Sequence, residues 1–169
     1  MADGSHKTGR SAAAVIFQHT KSNGQNDKKN TYAIMVPGHE AEQSSYRGEL
    51  GGILSGLAYS HRILQQKGIT SGKCVFGCDN KGALDASFGW KTPNHNWKCF
   101  DLVSDIRHQL RISPITWVMK HVKGHQDNDK IFEHLSVEAQ ANVIADIKAK
   151  EELRSNRLQD ERDPLTDDM

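Results

Sequence analysis

The segment that decides the fold is KCVFGCDN at residues 73–80, an apolar run that ends in an aspartate and an asparagine. Its length and composition are typical of a short buried strand, and residues 80–86 after it are predicted to form a brief helix. In α/β sheets, ligands bind beyond the carboxyl ends of the strands. Asp79, which directly follows the last residue of the predicted strand, therefore marks a candidate functional site.

Strands and helices are predicted on both sides of this segment. A turn signal at Ser22-Asn23-Gly24 indicates that the first two strands form a hairpin with a long loop. The order strand, strand, helix, strand, helix, strand, helix predicts an α/β domain with a mixed sheet. The predicted strands are residues 11–17, 31–36, 73–78 and 115–122, and the longer predicted helices are residues 45–66, 97–110 and 135–153.

The helix predicted at residues 45–66 contains several glycines, each of which costs about 1 kcal/mol relative to alanine. Ser44 or Ser45 is its expected N-cap, and Ser136 is the expected cap of the final helix. The glycines mostly project away from the apolar stripe, so we expect another element to pack closely against them. They are Gly48, Gly51, Gly52 and Gly56.

The composition predicts one globular domain with a charged tail. The chain has 169 residues, of which 36% are hydrophobic, and a mean hydropathy of −0.67. We set the domain at residues 1–153 and expect residues 154–169 to be disordered. Residues 151–169 hold seven acids and three arginines, a net charge of −4, so the formal total of +1 leaves +5 on residues 1–150. That charge permits approach to a polyanion but does not identify one.

The cysteines and the lack of long apolar runs bear on location. No run approaches the roughly 18 apolar residues that cross a bilayer, and no secretory signal opens the chain, so we expect no membrane partner. Three cysteines, an odd number, indicate an intracellular compartment, with cytoplasm and nucleus both open. Cys74 and Cys78 could form a zinc set with His95 and Cys99. Their spacing inside a strand is poor chelate geometry, so small buried side chains are the favoured interpretation.

Four acids lie in four separate segments, each at the end or flank of an element: Asp3, Glu49, Asp79 and Asp146. This distribution suggests one shared acidic site. The charges of such a site repel one another unless divalent cations are bound there. Hard oxygen ligands that hold a metal pair are how enzymes carry out in-line displacement at phosphodiesters.

The segments around these acids resemble those of the type 1 ribonuclease H family. The resemblance extends over residues 2–150, and the lack of a long basic insertion, with the extended loop after His125, is most like a retroelement ribonuclease H domain associated with a reverse transcriptase. Its motifs are ADGS at residues 2–5, RGEL at 47–50, GCDN at 77–80, GWKT at 89–92, VKGH at 122–125 and NVIAD at 142–146.

The resemblance implies a central mixed five-stranded sheet flanked by helices. Its first strand is expected to be truncated, because only Met1 and Ala2 precede Asp3. It also implies hydrolysis of the RNA strand of an RNA–DNA hybrid, which leaves a 5′-phosphate and a 3′-hydroxyl. Two Mg²⁺ ions, for which Mn²⁺ can substitute, would be held by Asp3, Glu49, Asp79 and Asp146.

The resemblance further implies roles for residues around the acids. His125 would shuttle protons or help to release the product, as imidazoles do near neutral pH. The expected partners are the RNA–DNA hybrid and an upstream reverse transcriptase domain, with the protein acting as a monomer. The expected substrate-binding residues are Ser44, Ser45, Arg47 and Asn80.

Two alternatives remain open. The first is a non-catalytic domain of the same fold that serves to bind nucleic acid or as a tether. The second is another nuclease of the superfamily, such as an integrase. Integrases typically show three catalytic acids, so Asn142 and Asp146 after Gly124-His125 favour ribonuclease H.

Overall fold

The computed structural model of the protein describes residues 1–18 and 29–160. Within these ranges it has five strands, four α-helices and three short 3₁₀ turns. The strands are β1 (Ala2–Lys7), β2 (Arg10–Phe17), β3 (Asn30–Met35), β4 (Lys73–Cys78) and β5 (Thr116–His121). The helices are α1 (Ser45–Gln66), α2 (Lys81–Phe88), α3 (Phe100–Ile112) and α4 (Val137–Asp160). The turn signal predicted at Ser22-Asn23-Gly24 lies outside the described residues.

The α/β class and the five strands are confirmed, but the prediction that all five strands form one sheet is wrong. Strands β1, β2 and β3 form one antiparallel sheet, whereas β4 and β5 form a separate parallel pair. Strand β1 lies beside β4 without a hydrogen-bonded ladder between them. A Cβ atom on Gly77 would lie 2.7 Å from Met1 Cε, so the Met1 side chain packs against the backbone of β4. This side-chain contact stands where a backbone ladder was expected.

Strand β1 has six residues, and the ladder with β2 extends along all of it, from Ala2 opposite Val15 to Lys7 opposite Arg10. The Met1 carbonyl continues the ladder by accepting from Ile16 N at 2.8 Å. The residues before and after Asp3 in the chain, Ala2 and Gly4, are therefore both paired with β2. Asp3 is held in the ladder although β1 begins only one residue before it.

Helices cover both faces of the three-stranded sheet, because successive residues of a strand point to opposite faces. Ala13 and Val15 of β2 belong to the core shared with α1, α2 and α3. Ala14 and Ile16 pack instead against α4, which presents alanines that let it approach closely. Asp3 pairs with Ala14, so it lies on the α4 face. The alanines of α4 are Ala141, Ala145 and Ala149.

Helix α1 has the predicted bounds, and its glycines pack closely as expected. Ser44 is the N-cap, and its Oγ accepts from Arg47 N at 3.1 Å. A Cβ on Gly51 would lie 2.5 Å from Val36 Cγ2, and one on Gly56 would lie 2.7 Å from Phe76 Cε2. These glycines therefore allow helix and sheet to approach more closely than any side chain would permit.

The final helix begins at Val137, directly after its predicted cap, and ends later than predicted. Ser136 Oγ accepts from Ala139 N at 3.2 Å, which confirms the cap. Helix α4 then continues to Asp160, so the prediction of disorder from residue 154 is wrong for residues 154–160. Leu153 is buried and anchors this part of the helix, an effect that composition alone does not reveal. Residues 161–169 lie outside the described residues.

Among the described residues, no helix combines the length and the apolar character needed to cross a bilayer.

Gly4→Ala is expected to destabilise the fold. A Cβ at this position would lie 2.2 Å from the Gly48 carbonyl carbon and 2.3 Å from Glu49 N, and backbone atoms cannot move aside without shifting α1. We expect a loss of about 1–3 kcal/mol in unfolding free energy, measured by denaturant titration.

The matched control is Gly82→Ala in α2, where the added methyl group meets only Asn80 Oδ1 at 3.3 Å and Tyr46 Cε2 at 3.9 Å. Equal stability losses for the two variants would contradict the close contact between β1 and α1.

Candidate functional site

Four elements bring the predicted acids towards one end of the fold. Asp3 lies on β1, Glu49 lies in the second turn of α1, Asp79 follows β4, and Asp146 lies on α4. The contact of Gly4 with the backbone at Gly48 and Glu49 sets the spacing between β1 and α1. Neighbouring residues on the two elements, Asp3 and Glu49, thereby come within hydrogen-bond reach of each other.

Asp3 and Glu49 form a buried pair of carboxyl groups, with only 5% and 6% of their surfaces exposed. Burial raises the pKa of Glu49, and the charges of Asp3 and Asp79 raise it further. Burial and the Asp79 charge likewise raise the pKa of Asp3, while the hydrogen bond from Glu49 opposes that shift. The described residues provide neither carboxyl group with an ion-paired lysine or arginine. The pair therefore shares a proton in the absence of a cation.

Asp79 stands beside this pair and is held from several sides. Its Oδ2 accepts from Asn142 Nδ2 at 3.3 Å, and its carbonyl oxygen lies 2.8 Å from His121 Nε2. A Cβ on Gly124 would lie 2.3 Å from Asp79 Oδ2, so the loop that carries His125 passes directly over this carboxylate.

Cys78 belongs to the same group of side chains. It is fully buried, and its thiol donates to Glu49 Oε2 at 3.5 Å. Burial raises the pKa of the Cys78 thiol, and the charge of Glu49 adds to the effect. The ligand atoms of Glu49, Cys78 and Asp79 all lie within 4.8 Å of one another, the one such group of potential metal ligands among residues 1–18 and 29–160. Cys74 and Cys99 are free thiols outside it.

Asp146 lies at the rim of the site rather than at its centre. Its charge contributes to the raised pKa of Asp3, so the two groups are close. Its Oδ2 accepts from Lys150 Nζ at 2.6 Å, and its side chain is 23% exposed. The structure thus brings three of the four acids tightly together and leaves the fourth adjacent, paired with a lysine.

His125 is exposed and has a left-handed backbone, with φ of +52°. It precedes the 3₁₀ turn Gln126–Asn128 and follows Gly124, which contacts Asp79. The loop therefore brings the backbone beside His125 close to Asp79, and the described contacts include no hydrogen bond from the imidazole to the acids.

The expected substrate-binding residues differ in whether their side chains are free to contact a substrate. Ser45 is exposed at the first turn of α1, whereas Ser44 Oγ is used as the N-cap. Asn80 caps α2, with its Oδ1 accepting from Ala83 N at 3.0 Å. Arg47 is only 3% exposed.

The guanidinium of Arg47 is occupied by the protein itself. Its Nη1 and Nη2 donate to Asp101 at 3.1 and 2.6 Å, and its Nε donates to the Pro37 carbonyl at 2.9 Å. These bonds join α1 to α3 and to the segment after β3. The geometry therefore favours a structural role for Arg47 over the expected contact with substrate.

The donor set fits a hard divalent cation. Mg²⁺ is bound by a few carboxylates that leave room for water and phosphate. Asp3, Glu49 and Asp79 supply oxygen ligands from three elements, and their mutual repulsion is the penalty that a cation would remove. These residues can hold a cation, with Asp146 adjacent.

Sequence reasoning did not assign two members of the site. Cys78 was interpreted as a small buried side chain, although its position directly before Asp79 was a usable signal. Asn142 was identified only as part of the motif at residues 142–146, with no contact assigned to it. Its amide in fact donates to Asp79, and only 3% of its surface is exposed.

Comparison with known proteins identifies the fold. No protein-family model and no curated protein matches the sequence. The chain is similar to the solution structure of the PFV RNase H domain, with a TM-score of 0.63, 16% identity, and 91% of this chain and 92% of that one covered. It is also similar to RNase H1 of the archaeon Halobacterium salinarum, with a TM-score of 0.52, 15% identity and coverages of 91% and 95%.

A third similar structure contains the fold within a larger protein. The prototype foamy virus protease-reverse transcriptase matches with a TM-score of 0.58 and 19% identity over 89% of this chain and 20% of that chain. At these low sequence identities, the similarities show the fold alone, and the activity has to be argued from the site. The protein has the ribonuclease H fold.

Proposed function

We propose that the protein is a metal-dependent endonuclease that hydrolyses the RNA strand of RNA–DNA hybrids and leaves a 5′-phosphate. The observation that carries the proposal is the convergence of Asp3, Glu49 and Asp79 from three elements into one group, in which Asp3 and Glu49 are buried and Asp79 is half-buried. Burial of like charges is unfavourable unless a ligand compensates it. In a protein of the ribonuclease H fold, a bound cation is the simplest ligand that would compensate these buried charges.

Asp3, Glu49 and Asp79, with Asp146 at the rim, would hold two Mg²⁺ ions, and Mn²⁺ would substitute. When bound, such ions lower the pKa of an attacking water and neutralise charge on the leaving oxygen. The bond from Asn142 to Asp79 orients that carboxylate, and Lys150 restrains Asp146. His125, on the loop over Asp79, is positioned to exchange protons with solvent.

The hybrid would approach over the exposed start of α1 and the start of α2. Ser45 is exposed there, and the amide nitrogen of Asn80 is not used by the helix cap. Selection of the hybrid requires contacts to 2′-hydroxyl groups on one strand and to deoxyribose on the other. Hydroxyl and amide side chains are suited to such contacts.

The similarity to a viral protease-reverse transcriptase supports a setting in which this domain works with an upstream reverse transcriptase domain of a retroelement. An intracellular location and a monomeric state remain part of this proposal.

The alternative is a non-catalytic domain of the same fold that binds nucleic acid or acts as a tether. One observation favours it, namely that Lys150 occupies Asp146 Oδ2, which reduces the negative charge available to a second ion. The Asp79 variant below separates the two functions.

Asp79→Asn should reduce cleavage of a labelled hybrid in Mg²⁺ below about 1% of the native rate, because loss of about 3 kcal/mol of metal stabilisation corresponds to about 100-fold. Hybrid binding, measured by fluorescence anisotropy, should persist. Asp85→Asn, on the exposed side of α2, is the control and should cleave normally. Undiminished cleavage by Asp79→Asn would contradict the metal site.

Glu49→Gln should abolish cleavage and yet stabilise the metal-free fold. The folded-state pKa of Glu49 is raised. The protonated side chain therefore contributes stability to the fold at low pH, and this stability is lost as the pH rises through the raised pKa. In chelator at pH 8, the variant should therefore exceed the native protein by more than about 1 kcal/mol in unfolding free energy.

Added Mg²⁺ should stabilise the native protein more than the Glu49→Gln variant. The charge-matched control is Asp105→Asn on the exposed face of α3, which should leave the pH dependence unchanged. Destabilisation by Glu49→Gln at pH 8 in chelator would argue against a strained carboxyl pair.

His125→Ala should lower kcat by about 100-fold, the lower end of the range for general acid–base groups, with little effect on stability because the side chain is exposed. The pH–rate profile should lose one limb in this variant. His134→Ala, an exposed histidine of the same loop region, serves as the control. Equal rates for the two variants would remove His125 from the reaction.

A further inference from the structure

A thiol lies inside the group of acids, which is unexpected for a site built for a hard cation. Cys78 Sγ and the carboxylate oxygens of Glu49 and Asp79 lie within 4.8 Å of one another. Mg²⁺ avoids sulfur, whereas Zn²⁺ and related ions bind thiolates strongly. We propose that Glu49, Cys78 and Asp79 form a binding site for a thiophilic divalent cation such as Zn²⁺. An ion bound there prevents these carboxylates from binding Mg²⁺ and so inhibits the enzyme.

The geometry of the thiol and the first carboxylate matches such an ion. In a tetrahedral zinc site, a Zn–S bond of about 2.3 Å and a Zn–O bond of about 2.0 Å place the sulfur and the oxygen about 3.5 Å apart. Cys78 Sγ and Glu49 Oε2 are separated by 3.5 Å. An ion can therefore take the place of the hydrogen-bonded proton without rearrangement of these two side chains.

Asn142 supplies an independent indication of a ligand. It is 3% exposed, its Oδ1 is buried without a hydrogen-bond partner, and its Nδ2 contacts Asp79 Oδ2 at 3.3 Å. A buried acceptor without a hydrogen-bond partner is unfavourable. A water bound to a cation beside Asp79 can donate to this oxygen, while Nδ2 keeps its bond to Asp79.

As the ion binds, the proton that Asp3 and Glu49 share moves wholly onto Asp3, which frees Glu49 to coordinate. The Cys78 thiol loses its proton to solvent as the sulfur–metal bond forms, and the hydrogen bond from the thiol to Glu49 is replaced by coordination. Glu49 and Asp79 are then committed to the thiophilic ion. The inhibitory consequence rests on the proposed function, since these are two of the carboxylates assigned to Mg²⁺, but the binding site itself does not.

The test uses Co²⁺ as a spectroscopic probe on the full chain. A Cys74→Ser/Cys99→Ser variant retains Cys78 as its only cysteine. Added Co²⁺ should give this variant the sulfur-to-cobalt charge-transfer absorption that marks a thiolate ligand, at one ion per chain. The band should disappear in Cys78→Ser and be strongly reduced in Glu49→Gln.

Absence of the band in the variant whose only cysteine is Cys78 would overturn the proposal, whether or not Cys78→Ser folds. So would a band of the same intensity in a folded Cys78→Ser chain, because the thiolate would then lie elsewhere. These outcomes are independent of hybrid cleavage. A chain that shows the band but does not cleave would retain the thiophilic site and lose the nuclease.

A second arm measures inhibition by Zn²⁺ at fixed Mg²⁺. Loss of a partner to a metal ligand typically costs 10–100-fold in affinity, and loss of a direct ligand should cost at least as much. The Zn²⁺ inhibition constant should therefore rise by at least about tenfold in Cys78→Ser relative to the Cys74→Ser/Cys99→Ser variant. Equal constants would refute the inhibitory role.

Discussion

The electrostatic constraint on which the site depends is the burial of two carboxyl groups, Asp3 and Glu49, in contact with each other and beside Asp79. Each group pays for desolvation and for the charge of its neighbours, and no basic side chain among the described residues neutralises them. A proton shared by the pair relieves part of this penalty. A divalent cation would relieve more of it, because it interacts favourably with every carboxylate at once.

Backbone packing forces this proximity. Gly4 allows β1 to lie against the backbone of α1 at Gly48, which fixes the backbone spacing between Asp3 and Glu49. On the other face, the alanines of α4 let that helix approach the sheet, which brings Asn142 to Asp79 and Asp146 to the rim. The packing of the rest of the fold thus holds these carboxyl groups in an unfavourable arrangement, as is common at functional sites.

Much of this arrangement follows from local sequence. The long apolar stripe and the cap at Ser44 define α1, whose predicted and observed bounds agree. The order of elements gave the α/β class, and family resemblance identified the four acids. Contacts between distant residues were invisible, since Arg47 meets Asp101 across 54 positions and Cys78 meets Glu49 across 29. The end of α4 was missed for a related reason, because a polar composition conceals the anchoring of Leu153.

The most direct test of the account is a diffraction experiment on crystals soaked in Mn²⁺, with anomalous scattering used to locate the ions. The account predicts anomalous peaks between Asp3, Glu49 and Asp79, at ligand distances of about 2.0–2.6 Å from their carboxylate oxygens. Saturating Mn²⁺ with no peak at these carboxylates, and with Asp3 and Glu49 still hydrogen-bonded to each other, would contradict it.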